Sequence, residues 1–333
     1  MEKVRIGLIG CGGRAKAHMN SYEQLRDIVE VVAVADPIEA RRDEASARFG
    51  GARKYVNHID FFEKESAATL DAILIAVEPT AHTGMEEMCI EKGIPFCIEK
   101  PMTLDLAQGE RIVAGLKEKN LITSVGFQDR YLDLIQIIKN EMPNHKQGGL
   151  VYGSWIGGIP GVWWWQKKST CGGQLVEQNI HLLDGLRFLY GEPLSVYATC
   201  SRGIVEPGVT ASAEYDTDDH STVVLRFQNN VTATLCSACY MRIGGSRHGY
   251  YILMNDIIFD YRLRNNLIIT DKDGVRDIPR GMDQTKALDE AFLNAVRTGN
   301  RSLILSDYED AFKSLRLGFE CNRSMDEGQV IYF

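Results

Sequence analysis

The sequence predicts two domains, an α/β domain over residues 1–125 and, over residues 126–333, an α+β domain with a large, mostly antiparallel open sheet. Three observations predict this division. A chain of 333 residues exceeds the usual size of one hydrophobic core. Short apolar runs alternate with helical stretches in the first part. After about residue 125, strand-like runs instead follow one another directly.

The first part contains five apolar runs with the character of buried strands. They lie at 4–10, 29–36, 72–77, 95–100 and 121–127. Helical stretches such as AKAHMNSYEQL and LDLAQGERIVAGLKEKN separate them. Strands this apolar, alternating with helices, are typical of a parallel sheet that helices cover on both faces.

The second part contains seven strand-like runs, at 150–158, 194–201, 220–228, 231–238, 249–254, 256–264 and 267–271. Their links include Asn229-Asn230, Asn255-Asp256 and Asp273-Gly274, which favour tight hairpins because Asn, Asp and Gly tolerate positive φ. Helical stretches at about 173–190 and 285–299 are expected to cover one face. An open second face would be buried in an oligomer, so we expect a homodimer or homotetramer through this sheet.

Composition excludes several classes of function. The formal net charge is −8 and no basic stripe is present, so no nucleic-acid partner is expected. The N-terminal run MEKVRIGLIGCGG has the character of a first strand rather than a signal peptide, and no apolar segment is long enough for a bilayer. We therefore expect a cytoplasmic protein with reduced thiols and no membrane partner. Cys236 and Cys239 form a lone CxxC without a second pair, so no metal site is predicted there.

A glycine motif follows the first predicted strand and opens the first predicted helix. It fits the pattern GxGxxG/A and reads Gly10-Cys11-Gly12-Gly13-Arg14-Ala15. Gly10 permits a tight turn, Gly12 lets the backbone approach a pyrophosphate, and Ala15 allows close packing of helix on strand. The helix N-terminus adds N–H groups and partial positive charge. This context predicts a dinucleotide-binding Rossmann domain.

An acidic residue ends the second predicted strand. Asp36 lies 24 residues after Gly12, where a carboxylate accepts hydrogen bonds from the adenosine ribose. Its charge would repel a 2′-phosphate, so NAD is preferred to NADP. Arg41 and Arg42 follow closely and offset that repulsion in part, so NADP stays a possible cofactor.

The segment Glu99-Lys100-Pro101 ends a predicted strand at the carboxyl edge of the parallel sheet, where such sheets bind ligands. A lysine there can hydrogen-bond a reacting hydroxyl and stabilise the developing alkoxide. The competing interpretation is a solvated surface lysine.

A second polar group is predicted in the later domain. Glu177, His181 and Asp184 have i, i+4, i+7 spacing, which would place them on one face of a helix. His181 can take a proton from a hydroxyl, since the ordinary pKa of histidine lies near neutral pH. Asp184 would orient the imidazole or support packing below it. A metal site and a structural histidine are the competing interpretations.

These segments together resemble the glucose–fructose oxidoreductase / inositol dehydrogenase (Gfo/Idh/MocA) family, over essentially the whole chain. The glycine motif, Glu99-Lys100-Pro101 and the run GGQLVEQNIHLLD (172–184) carry the resemblance. It implies that Lys100 is the catalytic lysine, that Glu99 lies near the nicotinamide ribose and that His181 is the acid/base residue. It also implies a cis bond before Pro101.

The same resemblance extends to neighbouring positions and shows departures. Glu177 stands where the family usually carries aspartate, and Asn179, expected on the substrate side, replaces the usual glycine. The family's cofactor-contacting loop corresponds to residues 77–82, in which Glu78 departs from the more usual threonine. Pro79 and His82 are expected to contact the cofactor there, with a surface histidine as the alternative for His82.

Two further features are assigned to the substrate side. Gln128, Asp129 and Arg130 follow the last strand of the first domain, where the family lines its cleft, although Arg130 can also simply pair with an acid. Trp163, Trp164 and Trp165 are consecutive, so their rings cannot all face one core. Trp164 is the candidate for stacking on a sugar, and a hydrophobic anchor or a subunit contact is the alternative.

The resulting hypothesis is an NAD(P)-dependent dehydrogenase or reductase acting on a CH–OH group of a sugar, inositol or related polyol. Lys100 and His181, supported by Glu177, would move the proton. One alternative is an NAD-dependent glycosidase or epimerase that works through transient oxidation. Another is a non-catalytic sensor of dinucleotide or sugar.

Overall fold

A computed structural model describes residues 2–146 and 148–333. The chain forms two compact units. The first unit comprises the chain up to Gln128 together with Asp283–Phe312. The second unit comprises Asp129–Met282 and Lys313–Phe333.

The strands are β1 (Val4–Ile9), β2 (Val29–Ala35), β3 (Arg53–Tyr55), β4 (Ala72–Ile75), β5 (Phe96–Ile98), β6 (Thr123–Val125), β7 (Gly149–Ile156), β8 (Ser195–Ser201), β9 (His220–Arg226), β10 (Val231–Ala238), β11 (Arg247–Leu253), β12 (Ile257–Arg262), β13 (Asn266–Asp271), β14 (Gly274–Pro279) and β15 (Ile331–Tyr332). The helices are α1 (Gly13–Gln24), α2 (Glu39–Arg48), α3 (His58–Lys64), α4 (Met85–Lys92), α5 (Leu106–Lys119), α6 (Asp133–Glu141), α7 (Lys168–Cys171), α8 (Gln174–Glu177), α9 (Ile180–Tyr190), α10 (Gln284–Thr298) and α11 (Tyr308–Glu327).

The first unit is a Rossmann domain. Its parallel sheet has the strand order β3-β2-β1-β4-β5-β6, which is the order of dinucleotide-binding folds. All four residues of β4 are buried, as expected for a strand covered on both faces. Each of the five predicted runs contains one of these strands. Strand β3 was not predicted, because its sequence RKY is polar and largely exposed.

Helix α10 belongs to the first unit, although the predicted division at residue 125 did not place it there. It packs against α1. Its buried side includes Leu288, Phe292 and Leu293, and the Asp283 side chain caps its N-terminus by accepting a hydrogen bond from the Lys286 N–H. An amphipathic helix shows in the sequence which face it buries, but not which sheet it covers.

The second unit is built on an open sheet with the order β14-β13-β12-β11-β7-β10-β9-β8-β15. Its neighbours are antiparallel except β7 and β10, which are parallel. The predicted Asn229-Asn230 link joins β9 to β10, and both residues have φ of 58°. The predicted mostly antiparallel sheet is therefore confirmed. Strands β14 and β15 were not predicted, because β14 is exposed and β15 is two residues long.

The helix predicted over 173–190 is two helices, α8 and α9. Gln178 and Asn179 separate them. The buried side chain of Asn179 donates a hydrogen bond to the Ser237 hydroxyl, while its carbonyl accepts from the N–H groups of Leu182 and Leu183. Asn179 thus starts α9 instead of continuing α8. The prediction that Glu177, His181 and Asp184 share one helix face is wrong.

Within residues 2–146 and 148–333, no helix combines the length and the apolar character that crossing a bilayer requires.

Candidate active site

The turn between β1 and α1 is shaped by its glycines. Gly10 has φ of +89°, and a Cβ there would lie 2.4 Å from the Ala76 carbonyl oxygen. Gly12 is the N-cap of α1, and a Cβ at Gly13 would meet nothing within 4 Å. The first turn of α1 carries no acidic residue. The turn therefore leaves open space at a helix N-terminus whose partial positive charge no acidic side chain of that turn offsets, and this fits a pyrophosphate.

Asp36 joins the glycine turn to the end of β2. Its Oδ2 accepts a 2.8 Å hydrogen bond from the Cys11 N–H, and its Oδ1 accepts one of 2.8 Å from the Ile38 N–H. Arg42 donates to the Asp36 carbonyl at 2.7 Å. A carboxylate has about four acceptor positions, so these two bonds leave it able to accept from ribose hydroxyls. Its contact with the cofactor stays a prediction.

Glu99 and Arg14 form an ion pair in the first unit. Arg14 Nε donates to Glu99 Oε1 at 2.6 Å, and the Arg14 guanidinium also lies 3.3 Å from the Thr285 hydroxyl. Glu99 is buried, with 4% exposure. Burial raises the pKa of this carboxyl, but the charge of Arg14 and the hydrogen bond from His18 outweigh burial and lower the pKa to about 2. Glu99 is therefore ionised at neutral pH.

His18 bridges two carboxylates inside the first unit. Its Nε2 lies 2.9 Å from Glu99 Oε1 and its Nδ1 lies 2.7 Å from Asp289 Oδ1. The ring is fully buried. Burial lowers the pKa of this imidazole, but Asp289 and Glu99 raise it to about 9. At neutral pH both ring nitrogens are thus protonated and donate to the carboxylates.

Lys100 follows Glu99 at the carboxyl end of β5, and the Lys100–Pro101 peptide bond is cis, which confirms the predicted cis bond.

Pro79 begins a short 3₁₀ turn after β4, and Gln128 lies buried just beyond β6. The alternative for His82, a surface histidine, is wrong, and its contact with the cofactor stays a prediction. Its side chain is 3% exposed, and Nδ1 lies 2.7 Å from Glu86 Oε1.

His181, in the second unit, lies between the carboxylate of Asp129 and the indole of Trp155. Its Nδ1 lies 3.7 Å from Asp129 Oδ2. Arg264 holds that carboxylate with two hydrogen bonds, of 2.7 and 3.0 Å. Trp155 stacks on the imidazole, with ring centroids 6.2 Å apart and planes 16° apart. The carboxylate beside Nδ1 is therefore Asp129, so of the two roles predicted for Asp184 the structure contradicts orientation of the imidazole and leaves support of the packing.

Asp184 is engaged elsewhere. Arg130 donates to it through Nε at 2.8 Å and Nη2 at 2.5 Å, and the Ser314 hydroxyl donates at 2.6 Å. Arg130 and Asp184 are both buried. Of the two predictions for Arg130, pairing with an acid is the one that the structure confirms.

The two other predicted residues of this segment are also buried. Asn179 has 0% exposure and its side chain bonds Ser237, which does not fit the predicted contact with substrate. Glu177 ends α8 with 8% exposure. In the described parts of the chain, no group of three or more His, Cys, Asp or Glu side chains is arranged to hold a metal ion.

The tryptophan run forms a 3₁₀ turn in which the three rings have different environments. Trp165 is fully buried in a small cluster with Val205, Tyr215 and Cys239. Trp164 is partly buried against that cluster, and Trp163 is 64% exposed. The prediction that one ring is exposed is confirmed for Trp163, while Trp164 serves in part as an anchor.

Several residues around these groups were not predicted. His18 lies one helical turn after Arg14, which places both on one face of α1, and this spacing was a usable signal. Asp289, Trp155 and Arg264 gave no such signal. Asp289 is 271 residues from His18 in the sequence, so only the folded chain brings them together.

Comparison with known proteins shows relatives along the full length. Myo-inositol 2-dehydrogenase of Thermotoga maritima is 23% identical, with 98% of each chain covered. The scyllo-inositol 2-dehydrogenase (NAD(+)) of Bacillus subtilis is 23% identical, covering 99% of this chain and 96% of the relative. A levoglucosan dehydrogenase solved in complex with NADH has the same fold, with a TM-score of 0.87 at 18% identity and 99% of each chain covered.

Two family models match the chain. Residues 4–127 match the oxidoreductase family with an NAD-binding Rossmann fold, and residues 150–253 match the GFO/IDH/MocA C-terminal domain. The glycine turn, with its open helix N-terminus, agrees with the first of these matches. The chain therefore belongs to the Gfo/Idh/MocA family of oxidoreductases and carries its NAD-binding Rossmann domain.

Proposed function

We propose that this oxidoreductase is a dehydrogenase that oxidises a CH–OH group of a sugar, inositol or related polyol, with NAD preferred to NADP. The observation that carries the proposal is the position of Glu99 and Lys100 at the carboxyl end of β5, in a domain whose glycine turn fits a pyrophosphate. The relatives named above as inositol and levoglucosan dehydrogenases support a polyol substrate.

Binding of the cofactor falls to residues of the first unit. Gly10, Gly12, Gly13 and Ala15 form the turn for the pyrophosphate, and Asp36 accepts from the adenosine ribose. Glu99 and Arg14 are further cofactor-binding residues in this proposal. So are Pro79 and His82, which lie in the loop after β4. Bound NAD supplies a hydride acceptor.

Lys100 and His181 manage the proton of the substrate hydroxyl. In oxidation, the C–H bond breaks with its electron pair and the O–H bond breaks as the carbonyl forms. Lys100 donates a hydrogen bond to the oxygen and stabilises its developing negative charge. His181 takes the proton. The Asp129 carboxylate at 3.7 Å from Nδ1 favours a proton on that nitrogen, so Nε2 is the atom that acts as base. Glu177, at the end of α8, supports His181 in this scheme.

The substrate side is proposed to involve Gln128 and the tryptophan turn. Trp163 exposes most of its ring and Trp164 part of it, and aromatic faces of this kind stack on the C–H faces of sugars. Arg130 and Asn179 are left out of this group, because both are buried with partners in the second unit.

The test is NADH fluorescence after wild-type protein and NAD are mixed with a panel of sugars, sugar acids and inositols. We expect a signal with some of these compounds and a loss of about 10²–10⁴-fold in the Lys100→Ala and His181→Ala variants. The His145→Gln variant is the control, because this histidine pairs with Glu141 and Asp256 near the surface. A panel without signal, in protein that binds NADH, would refute net polyol oxidation. Product formation without net NADH would then identify a closed redox cycle.

We also propose that the outer face of the second sheet joins copies of this chain. Tyr251, Tyr152, Thr234, Val224 and Tyr197 lie side by side across β11, β7, β10, β9 and β8. Tyr152 and Tyr197 are 39% and 41% exposed. Sedimentation velocity should show a dimer or tetramer that the pair Tyr152→Arg and Tyr197→Arg dissociates. A wild-type monomer would refute this interface.

A further inference from the structure

We propose that His18 is a positioning residue of the cofactor site, which holds the Glu99 carboxylate ionised and in one orientation beside Lys100. The inference rests on the proposed function, in which Glu99 contacts the cofactor. His18 itself does not touch the reacting atoms in this scheme. It acts through Glu99.

The geometry around Glu99 supports this role. Glu99 Oε1 accepts from two donors at once, Arg14 Nε at 2.6 Å and His18 Nε2 at 2.9 Å. Both donors lie on α1, the helix that begins at the glycine turn. The orientation of Glu99 is therefore coupled directly to the element that is proposed to bind the pyrophosphate.

The other side of the carboxylate is also confined. A Cβ built on Gly126, just after β6, would lie 2.5 Å from Glu99 Oε2. The carboxylate thus lies between α1 on one side and the backbone after β6 on the other. A charge-assisted hydrogen bond within such a confined site fixes direction as well as charge.

His18 is oriented in turn by Asp289. The Asp289 carboxylate, on α10, is fully buried and lies 2.7 Å from Nδ1. This contact keeps the ring from rotating and directs Nε2 at Glu99. Two hydrogen bonds therefore connect Asp289 on α10, through His18 on α1, to Glu99 at the end of β5.

Charge supports the same role. The titratable groups that face His18 are Asp289 from α10, Glu99 from the end of β5, and Arg14 and Tyr22 from α1. Cys97 on β5 interacts electrostatically with the same two carboxylates. Burial lowers the pKa of His18, but the two carboxylates raise it to about 9. His18 is therefore a cation at neutral pH, and this second positive charge keeps Glu99 ionised although it is buried.

The test measures NADH affinity by fluorescence titration from about pH 6 to about pH 10, which needs no substrate. Wild-type affinity should be flat near neutrality and weaken as pH rises through about 9. His18→Gln should weaken affinity on the order of tenfold to a hundredfold, and remove that pH step. Asp289→Asn keeps the shape of the side chain but loses its charge, so the step should move down by about one pH unit or more.

His145→Gln serves as the matched control, because this histidine also bridges two carboxylates but lies in the second unit. It should leave NADH affinity and its pH step unchanged. Unchanged NADH affinity in folded His18→Gln, or a pH step that Asp289→Asn does not move, would overturn the proposal. Wild-type protein that binds NADH but oxidises no polyol would refute the proposed function alone, since the affinity measurements would still decide the role of His18.

Discussion

Arg130 and Asp184 form a two-point ion pair in the interior of the second unit, with Nε–Oδ2 of 2.8 Å and Nη2–Oδ1 of 2.5 Å. The Ser314 hydroxyl adds a third donor to the carboxylate at 2.6 Å. The Arg130 guanidinium also lies over the Phe188 ring, 5.2 Å from its centroid. This pairing makes Arg130 a structural residue of the unit that carries His181.

The first prediction concerns the stability of this pair. Arg130→Met leaves the Asp184 carboxylate buried without its main partner, which should lower the free energy of unfolding by about 3–5 kcal/mol. Urea unfolding followed by circular dichroism measures this change. Arg262→Met, on the same unit, is the control for loss of an arginine, because its side chain is 54% exposed and its Nη2 lies 3.7 Å from Asp260 Oδ2. A loss below about 1 kcal/mol in Arg130→Met would contradict a structural role for the pair.

The second prediction distinguishes the role of Asp129 from that of Asp184. Asp129 Oδ2 lies 3.7 Å from His181 Nδ1, whereas Asp184 forms an ion pair with Arg130. Asp129→Asn should therefore lower kcat/KM on the order of tenfold or more with polyol substrate, because the imidazole loses its orienting carboxylate. Asp184→Asn should chiefly lower the unfolding midpoint. If the two variants lost the same activity for the same loss of stability, Asp129 would have no special relation to His181.

The sequence predicted the sheets well and the helical coverage less well. Apolar runs such as 72–77 mark strands buried on both faces, and Asn229-Asn230 marks a hairpin, because these signals depend on local chemistry. The position of α10 depends instead on which surface its apolar face meets. The break between α8 and α9 depends on a hydrogen bond from Asn179 to Ser237, 58 residues away. Neither dependence is visible in a local pattern.

The same contrast holds for the candidate site. Residues at fixed offsets in a motif, such as Gly10, Asp36 and Lys100, were found because their spacing is the signal. Partners that come together only on folding were not. Asp289 reaches His18 across 271 residues, and Arg264 reaches Asp129 across 135. Spacing alone also left Asp184 as a candidate for the acid beside His181, because it assumed one continuous helix.

The third prediction concerns Gly126. A methyl group there would lie 2.5 Å from Glu99 Oε2, so Gly126→Ala should displace the carboxylate and weaken NADH binding on the order of tenfold. Gly115→Ala in α5 is the control, because its methyl would meet only the Ile90 side chain at 3.3 Å. Fluorescence titration with NADH measures both. Equal affinities in the two variants would argue against a role of Glu99 in cofactor binding.

The fourth prediction distinguishes the tryptophans. Trp165 is fully buried, so Trp165→Ala should cost about 3–5 kcal/mol of stability. Trp163 is 64% exposed, and Trp163→Ala should change stability by less than about 0.5 kcal/mol. If Trp163 stacks on substrate, this variant should raise KM for the polyol at constant stability. Urea unfolding and steady-state kinetics check the two parts separately.

The fifth prediction is a pH dependence of stability that depends on His18. Its pKa is raised from 6.5 to about 9 in the folded chain by Asp289 and Glu99, against the effect of burial. Because the folded state binds this proton more tightly, the stabilisation is fully present below about pH 6.5 and is lost as pH rises through about 9. The pKa of Glu99, lowered to about 2, has the opposite consequence only below about pH 4.5.

The difference in unfolding midpoint between wild type and His18→Gln should therefore be largest near pH 6.5 and shrink above pH 9. Each kcal/mol corresponds to about 2–4 °C in the midpoint for a unit of this size. Thermal unfolding at a series of pH values from pH 6.5 to above pH 9, followed by circular dichroism, measures this difference in midpoint. His145→Gln should give a much smaller one, since its ring lies near the surface with 15% side-chain exposure. A difference that stays constant from pH 6.5 to above 9 would mean that His18 carries no charge in the folded chain, because a neutral ring would contribute equally at every pH in that interval.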